Sequence, residues 1–218
     1  GSTLEAENIT TAGTGSVKID GVQAPVVDGA IVVPVADFAA LKAAVEAGKN
    51  VQLTADITTS AAITTSGVTS VIDLNGKTLT IGAGDNKFND ESNITIKNGT
   101  VSITGVTVGG NAIFCLDEYE KTLVTTVTLD NVNLVGDGYS SAYGVFYIGN
   151  SSVLNVNGGE WDLKNDTHTS GGVFKADASG ATLNIKGLNL TAHNVRRVVT
   201  YAATTIENSK MAISGDAD

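Results

Sequence analysis

Cysteine is nearly absent. Cys115 is the only one in 218 residues, so no intrachain disulfide and no cysteine-based zinc site can form. A single thiol in such a chain reads as a buried apolar group. Its scarcity does not set the compartment, since bacterial surface and viral proteins commonly lack disulfides. Basic residues are also few. Thirteen Lys and Arg face 23 Asp and Glu, a net charge of −10, and no basic run exceeds Arg196-Arg197. A phosphate backbone therefore has little to bind, and nucleic acid is not expected as a partner. The same shortage argues against anionic membranes. No apolar run approaches the length that spans a bilayer, so membrane insertion is not expected. No charged-then-apolar leader opens the chain, and Gly1-Ser2 resemble a cloning remnant, so export is decided neither way. With only two prolines, the remainder is rich in Val, Ile, Leu, Ala, Thr, Asn and Gly. That is strand and tight-turn composition.

What is present is a column of small residues: Gly76, Asn98, Asn131, Gly158, Gly187 and Asn208. Each stands in one template of apolar, any, apolar, any, [Gly/Asn], any, any, apolar, any, apolar. Two residues before the column come Leu74, Ile96, Leu129, Val156, Ile185 and Ile206; three after come Leu79, Val101, Leu134, Trp161, Leu190 and Met211. Only Thr204 and Gly136 break the apolar rule. Each half alternates as a half-buried strand does. Gly and Asn reach the left-handed backbone region at least cost, as a corner between the halves requires. Successive corners lie between 21 and 33 residues apart, a period that predicts stacked repeats, a solenoid.

The chain divides into residues 1–15, an aperiodic and flexible entry; 16–36, a short β segment; and 37–218, the repeat region. In the second part, Asp20-Gly21 and Asp28-Gly29 predict hairpin turns, and Pro34 is expected to end the run. The stretch VKIDGVQAPVVDGAIVVPVAD resembles the small β-repeats of bacteriophage head and collar fibres, where strands wind with two partner chains. That resemblance implies a homotrimer through residues 16–34. Asp37 predicts the N-cap of a helix carrying Phe38, Leu41, Ala44 and Val45 and stopped by Gly48. The helix is expected to cover the first coil, whose degenerate strands hold Val51, Leu53 and Ile57.

A third strand signal recurs as AIFCLD at 112–117, GVFYIG at 144–149, GVFKAD at 172–177 and RVVTYA at 197–202. Phe114, Phe146, Phe174 and Val199 are expected to stack inward. Helix cap, LNGKTLTI, NITIKNGTVSI and the Phe column together resemble the right-handed parallel β-helix proteins of the pectate-lyase-like superfamily. The fold class expected is therefore all-β: a right-handed parallel β-helix with three strands per coil, an N-terminal capping α-helix and a short N-terminal β-hairpin segment. That fold carries lyases, hydrolases, phage tailspikes and adhesins alike, so it does not choose a function.

The resemblance implies calcium-binding aspartates with an arginine base in lyases, and Asn-Thr-Asp and Asp-Asp motifs in hydrolases; neither pattern occurs here. Asp117 and Asp177 are expected two coils apart, roughly 9 to 10 Å at ~4.8 Å per coil, which overlaps the loose end of an inverting carboxylate pair but reads as an isolated solvated pair. Glu160 and Asp162 read as surface charge, and His168 and His193 lack a companion carboxylate or thiolate cluster. Asp85, Asn86, Asp90 and Glu91 read as a solvated loop rather than a calcium site. The threonine rows, such as Thr78, Thr80, Thr126 and Thr128, are too interrupted to order ice. No metal and no cofactor is expected.

The strongest constellation is Tyr147 and Lys175 on neighbouring strands with Asp117 and Asp177 beside them. Loops 136–142 and 165–170 bring Tyr139 and His168 to the same edge, and Tyr143 stands at the next strand's entry. Aromatic faces with carboxylates and amides suit a polyol. The expected function is a non-enzymatic module outside the cytoplasm, displaying a surface for a glycan or cell-surface receptor on a phage particle or a bacterial envelope. A polysaccharide lyase or hydrolase of the same fold, and a purely structural spacer, are the alternatives.

Overall fold

The computed structural model describes residues 17–19, 22–24, 26–27, 29–82, 88–108, 112–116, 125–149, 151–168, 170–176, 180–200 and 203–215. Strands dominate, and the described residues contain one helix, Phe38–Glu46. It starts where the sequence places it. Asp37 keeps an extended backbone while its Oδ1 accepts a hydrogen bond from Ala40 N at 2.9 Å. That satisfies one of the amides a helix N-terminus leaves over. Leu41, Ala44 and Val45 are buried. Lys42 Nζ donates to Ala62 O at 2.7 Å and pairs with Glu46, whose Oε1 also accepts from Thr64 N at 2.9 Å. Apolar and polar contacts thus tie the helix to strand Ile63–Asp73. No described helix is long and apolar enough to cross a membrane.

Before the helix, Val17–Ile19 pairs antiparallel with Val22–Ala24, and Val26–Val27 with Ala30–Ile31. These are the two hairpins expected from the Asp-Gly steps, although Asp20, Gly21 and Asp28 lie outside the described residues. Pro34 does not end the run. Strand Val33–Val35 continues through it and pairs parallel with Val51–Leu53. Val33 N donates to Asn50 O and Thr54 N to Val35 O, so the nitrogen of Pro34 alternates to the side of the strand with no described partner. An edge tolerates proline for that reason.

Thr107–Val108 and Ser140–Ser141 pair in parallel as a small sheet of their own, and the other strands join Val33–Val35 in one closed sheet whose strands pair in parallel. Three series of neighbours run through it. The first aligns Val51, Ile72, Ile96, Leu129, Val156, Ile185 and Ile206. The second aligns Ile57, Leu79, Val101, Leu134, Trp161, Leu190 and Met211. The third aligns Ile63, Phe88, Phe114, Phe146, Phe174 and Val199. Neighbouring phenylalanines of this third series stack, with ring centroids 4.9 to 5.9 Å apart. Trp161 lies against Phe146 at 5.6 Å and Phe174 at 5.5 Å, and its Nε1 donates to Val132 O at 3.0 Å. The aromatic column and the second series therefore share one core.

All six residues of the Gly/Asn column have positive φ, from +49° at Asn208 to +72° at Gly158. A second column, which the template did not include, follows seven residues later: Gly105, Gly138, Asn165, Asn194 and Gly215, again all with positive φ. Its asparagines bond along the stack, Asn194 Nδ2 to Asn165 Oδ1 at 3.1 Å and Asn165 Nδ2 to Asp137 Oδ1 at 2.7 Å.

The template fails in one register. Ile72, not Leu74, aligns with Ile96, while Leu79 still aligns with Val101. The Gly76 corner therefore holds two additional residues. Asn75 at φ +51° and Gly76 at φ +71° form a tight turn closed by Lys77 N to Leu74 O at 2.8 Å. A shift of two keeps every side chain on its face, which is why Leu74 remains buried and the apolar pattern conceals the shift.

Both exceptions to the apolar rule have a cause. A Cβ on Gly136 would stand 2.6 Å from Ile103 Cγ1, so the core there is already full. Thr204 belongs to the last strand pair, which has no described neighbour on its far side. There Ile206 is 50% and Ile213 57% exposed. Of the expected solvated loop, Asp90 and Glu91 lie instead within strand Phe88–Ser102, and Asp85 and Asn86 lie outside the described residues.

Candidate functional site

Three of the residues expected at the displayed surface come together. Strand Phe146–Ile148 pairs with Phe174–Ala176, which sets Tyr147 directly opposite Lys175. Because Phe146 and Phe174 face the core, the pleat turns Tyr147 and Lys175 the other way, and both are partly exposed. Tyr143 packs edge-on against Tyr147 with ring centroids 5.5 Å apart. Lys175 Nζ lies 4.3 Å from the Tyr143 centroid and donates to Ala142 O at 3.3 Å. The ammonium is thus held by a ring face and a carbonyl. This fixes the lysine and leaves an aromatic pair with a positive charge at its margin.

His168 stands in the neighbouring segment 165–170. Its N–H donates to Asp166 Oδ1 at 3.0 Å, and its Nδ1 accepts from Ser170 N at 3.0 Å. Asp117 and Asp177 lie outside the described residues, so the expected carboxylates are not placed.

Tyr139 departs from the expectation. It is completely buried rather than presented at the edge. Ser140 N donates to Val106 O, and Thr167 N and Oγ1 donate to Tyr139 O at 2.9 and 3.2 Å, so the backbone at this tyrosine is held between neighbours. Its ring belongs to the core, and its hydroxyl has no hydrogen-bond partner. Burial, and next the charge of Asp166, push the phenol above its ordinary range. Asp166 lies in the segment that binds the Tyr139 carbonyl. Its Oδ2 is buried without a partner, and burial raises its carboxyl despite the His168 N–H bond and the charges of His168 and Arg196. A Cβ on Gly171 would stand 2.6 Å from Ser141 O and 2.7 Å from Asp166 Oδ2, so only glycine lets these segments approach.

The other candidates are engaged separately. Glu160 Oε2 accepts from Asn189 Nδ2 at 2.6 Å, and Asp162 Oδ2 pairs with Lys164 Nζ at 2.7 Å. His193 Nδ1 lies 3.0 Å from Ser214 Oγ. Cys115 is buried, its Sγ 3.7 Å from Ala112 O. Sequence reasoning missed Asp166, which nothing but its place two residues before His168 distinguishes. It also missed the amide chain in which Asn184 Nδ2 donates to Asn155 Oδ1 and Asn155 Nδ2 to Thr128 Oγ1. Equivalent template positions for Thr128, Asn155 and Asn184 were the available signal.

Among the described residues no group of three His, Cys, Asp or Glu is arranged to hold a metal ion. No family model, curated protein or solved structure matches the chain.

Proposed function

We propose that the chain is a right-handed parallel β-helix of the pectate-lyase-like kind acting as a non-enzymatic binding module on a virion or bacterial surface. The ligand is a glycan, and it meets the protein at Tyr143, Tyr147 and Lys175. The observation that carries this reading is the convergence of the two rings and the ammonium from adjacent strands, outside a core that anchors both strands through Phe146 and Phe174. Sugar C–H faces pack on tyrosine rings while hydroxyls take the polar groups around them. The β-helix reading is supported by the three parallel series and by the recurring left-handed corners. A homotrimer through residues 16–34 fits the way those strands pair: the two hairpins form sheets of their own, apart from the main one.

The test is a glycan array on the full chain, with Tyr147→Ala and Lys175→Ala alongside and light scattering to establish its mass. Weak, calcium-independent binding reduced by both substitutions is expected, with no release of reducing ends or unsaturated sugars. Binding unchanged by either variant would remove the site. Sustained product formation would replace the binding reading with the lyase or hydrolase.

A further inference from the structure

The stack has two ends, and they are finished differently. At the first, helix Phe38–Glu46 buries Leu41 and Val45 in the core, and the edge strand Val33–Val35 carries Pro34, which offers no N–H. The last strand pair, Ala203–Glu207 and Lys210–Ser214, has neither device. Ile206 and Ile213 are exposed, and among the described residues both strands pair only with the preceding coil. Ala203 N donates to Ala181 O and Lys210 N to Leu188 O, both in that coil. Backbone groups alternate along a strand, so Ile206, Met211 and Ile213 turn their N–H and C=O the other way, toward the open edge. Such an edge is a template for another strand.

We propose that this edge pairs with the same edge of a second copy of the chain, across a two-fold axis at the Asn208–Ser209 corner. That axis runs the strands antiparallel and sets Ile206 against Met211 of the second copy, Thr204 against Ile213 and Glu207 against Lys210. Ile206 and Met211 both turn their backbone groups to the edge, so they exchange two hydrogen bonds as an antiparallel pair does. Opposed side chains share a face, so the two open cores close on each other. The charges select a second copy over an unrelated strand. Glu207 and Lys210 are exposed, and among the described residues no ion pair engages either. In the equivalent places at each of the other five corners at least one residue is uncharged, as in Asn157 with Glu160 and Lys186 with Asn189. Only the open coil sets an acid against a base. The helix and the proline edge close the first end to a head-to-tail contact, which leaves the self-complementary one.

Light scattering on the full chain over a dilution series tests this, with Glu207→Lys and Lys210→Glu measured alone and mixed. Each single variant sets like charges against each other twice across the axis, and is expected to raise the dissociation constant of the contact by about tenfold or more. An equimolar mixture is expected to recover the mass of the unaltered chain, because each variant supplies the charge that the other lacks. Both variants stay acidic overall, so general attraction does not imitate that recovery. The contact is independent of the trimer proposed through residues 16–34. End pairing gives a mass that halves in the single variants, whereas the trimer alone gives three chains in every sample. A mass of one or three chains throughout, unchanged by the substitutions, would overturn the end pairing. So would variants that fail to recover on mixing, or a mass that grows without limit with concentration, which is open-ended stacking.

Discussion

Replacing Gly158 tests the corner argument quantitatively, because the space around it is known. Gly158 has φ +72°, and a Cβ built on it would meet nothing closer than Asn131 Cα at 4.0 Å. Any loss on substitution is therefore backbone strain, not crowding. An L-residue in this region costs roughly 1–2 kcal/mol, rising toward ~3 for a β-branched side chain. Asparagine tolerates the region, and three of the six corners carry it. Gly158→Asn should thus lose least, Gly158→Ala more and Gly158→Val most. Gly159 provides the contrast. At φ +96° its Cβ would stand 2.1 Å from Val132 O, so strain and overpacking combine to roughly 2–5 kcal/mol in Gly159→Ala. Urea unfolding of the full chain, read at a common m-value, gives the ranking. Equal losses for Gly158→Asn and Gly158→Val, or a Gly159→Ala no worse than Gly158→Ala, would refute the reasoning.

Two further outcomes follow from the packing and the helix. Trp161→Ala should destabilise by roughly 3–5 kcal/mol, and the native indole, enclosed by Phe146 and Phe174, should emit at short wavelength; a solvent-like maximum would contradict its burial. Burial alone would raise the Glu46 carboxyl, but bonds from Lys42 and Thr64 N hold it below its usual 4.5. Its contribution is present above that value and lost as pH falls through the lower folded one. Glu46→Gln should therefore lose up to about 1 kcal/mol at neutral pH and nothing in strong acid. A difference independent of pH would count against this account.

Much of the fold was legible because the features that specify it are local. Asp37 and Gly48 bracket the helix by their own hydrogen bonding and backbone preference, and the six corners declare themselves by excluding residues with a β-carbon other than Asn. The second column, from Gly105 to Gly215, was equally regular, but a template anchored on apolar pairs ended before reaching it. Phe88 escaped because it stands six residues before Ile94, whereas Phe146 and Phe174 precede Leu154 and Leu183 by eight and nine. The slip at Ile72 was invisible in principle, since a two-residue change conserves the alternation. The site was read less well. Tyr147 and Lys175 could be brought together from strand register, and Tyr143 from its place at the entry to the same strand. Whether a tyrosine in a turn faces in or out depends on contacts such as Thr167 to Tyr139, which pair residues 28 apart and leave no trace in either segment.

The constant interval of seven residues between the two left-handed columns has a consequence for how such a molecule can change. From Asn98 to Gly105 and from Asn208 to Gly215 the chain is of fixed length, whereas from each second corner to the next first corner it runs from fourteen residues to twenty-six. Apart from the two additional residues at the Gly76 corner, variation in length is therefore confined to one side of the repeat. Segments 139–144 and 166–168, which carry Tyr143 and Asp166, lie on that variable side. Lengthening or exchanging them would alter the surface around Tyr143 while the two left-handed columns continued to set the spacing, so surface and architecture in this chain can diversify independently.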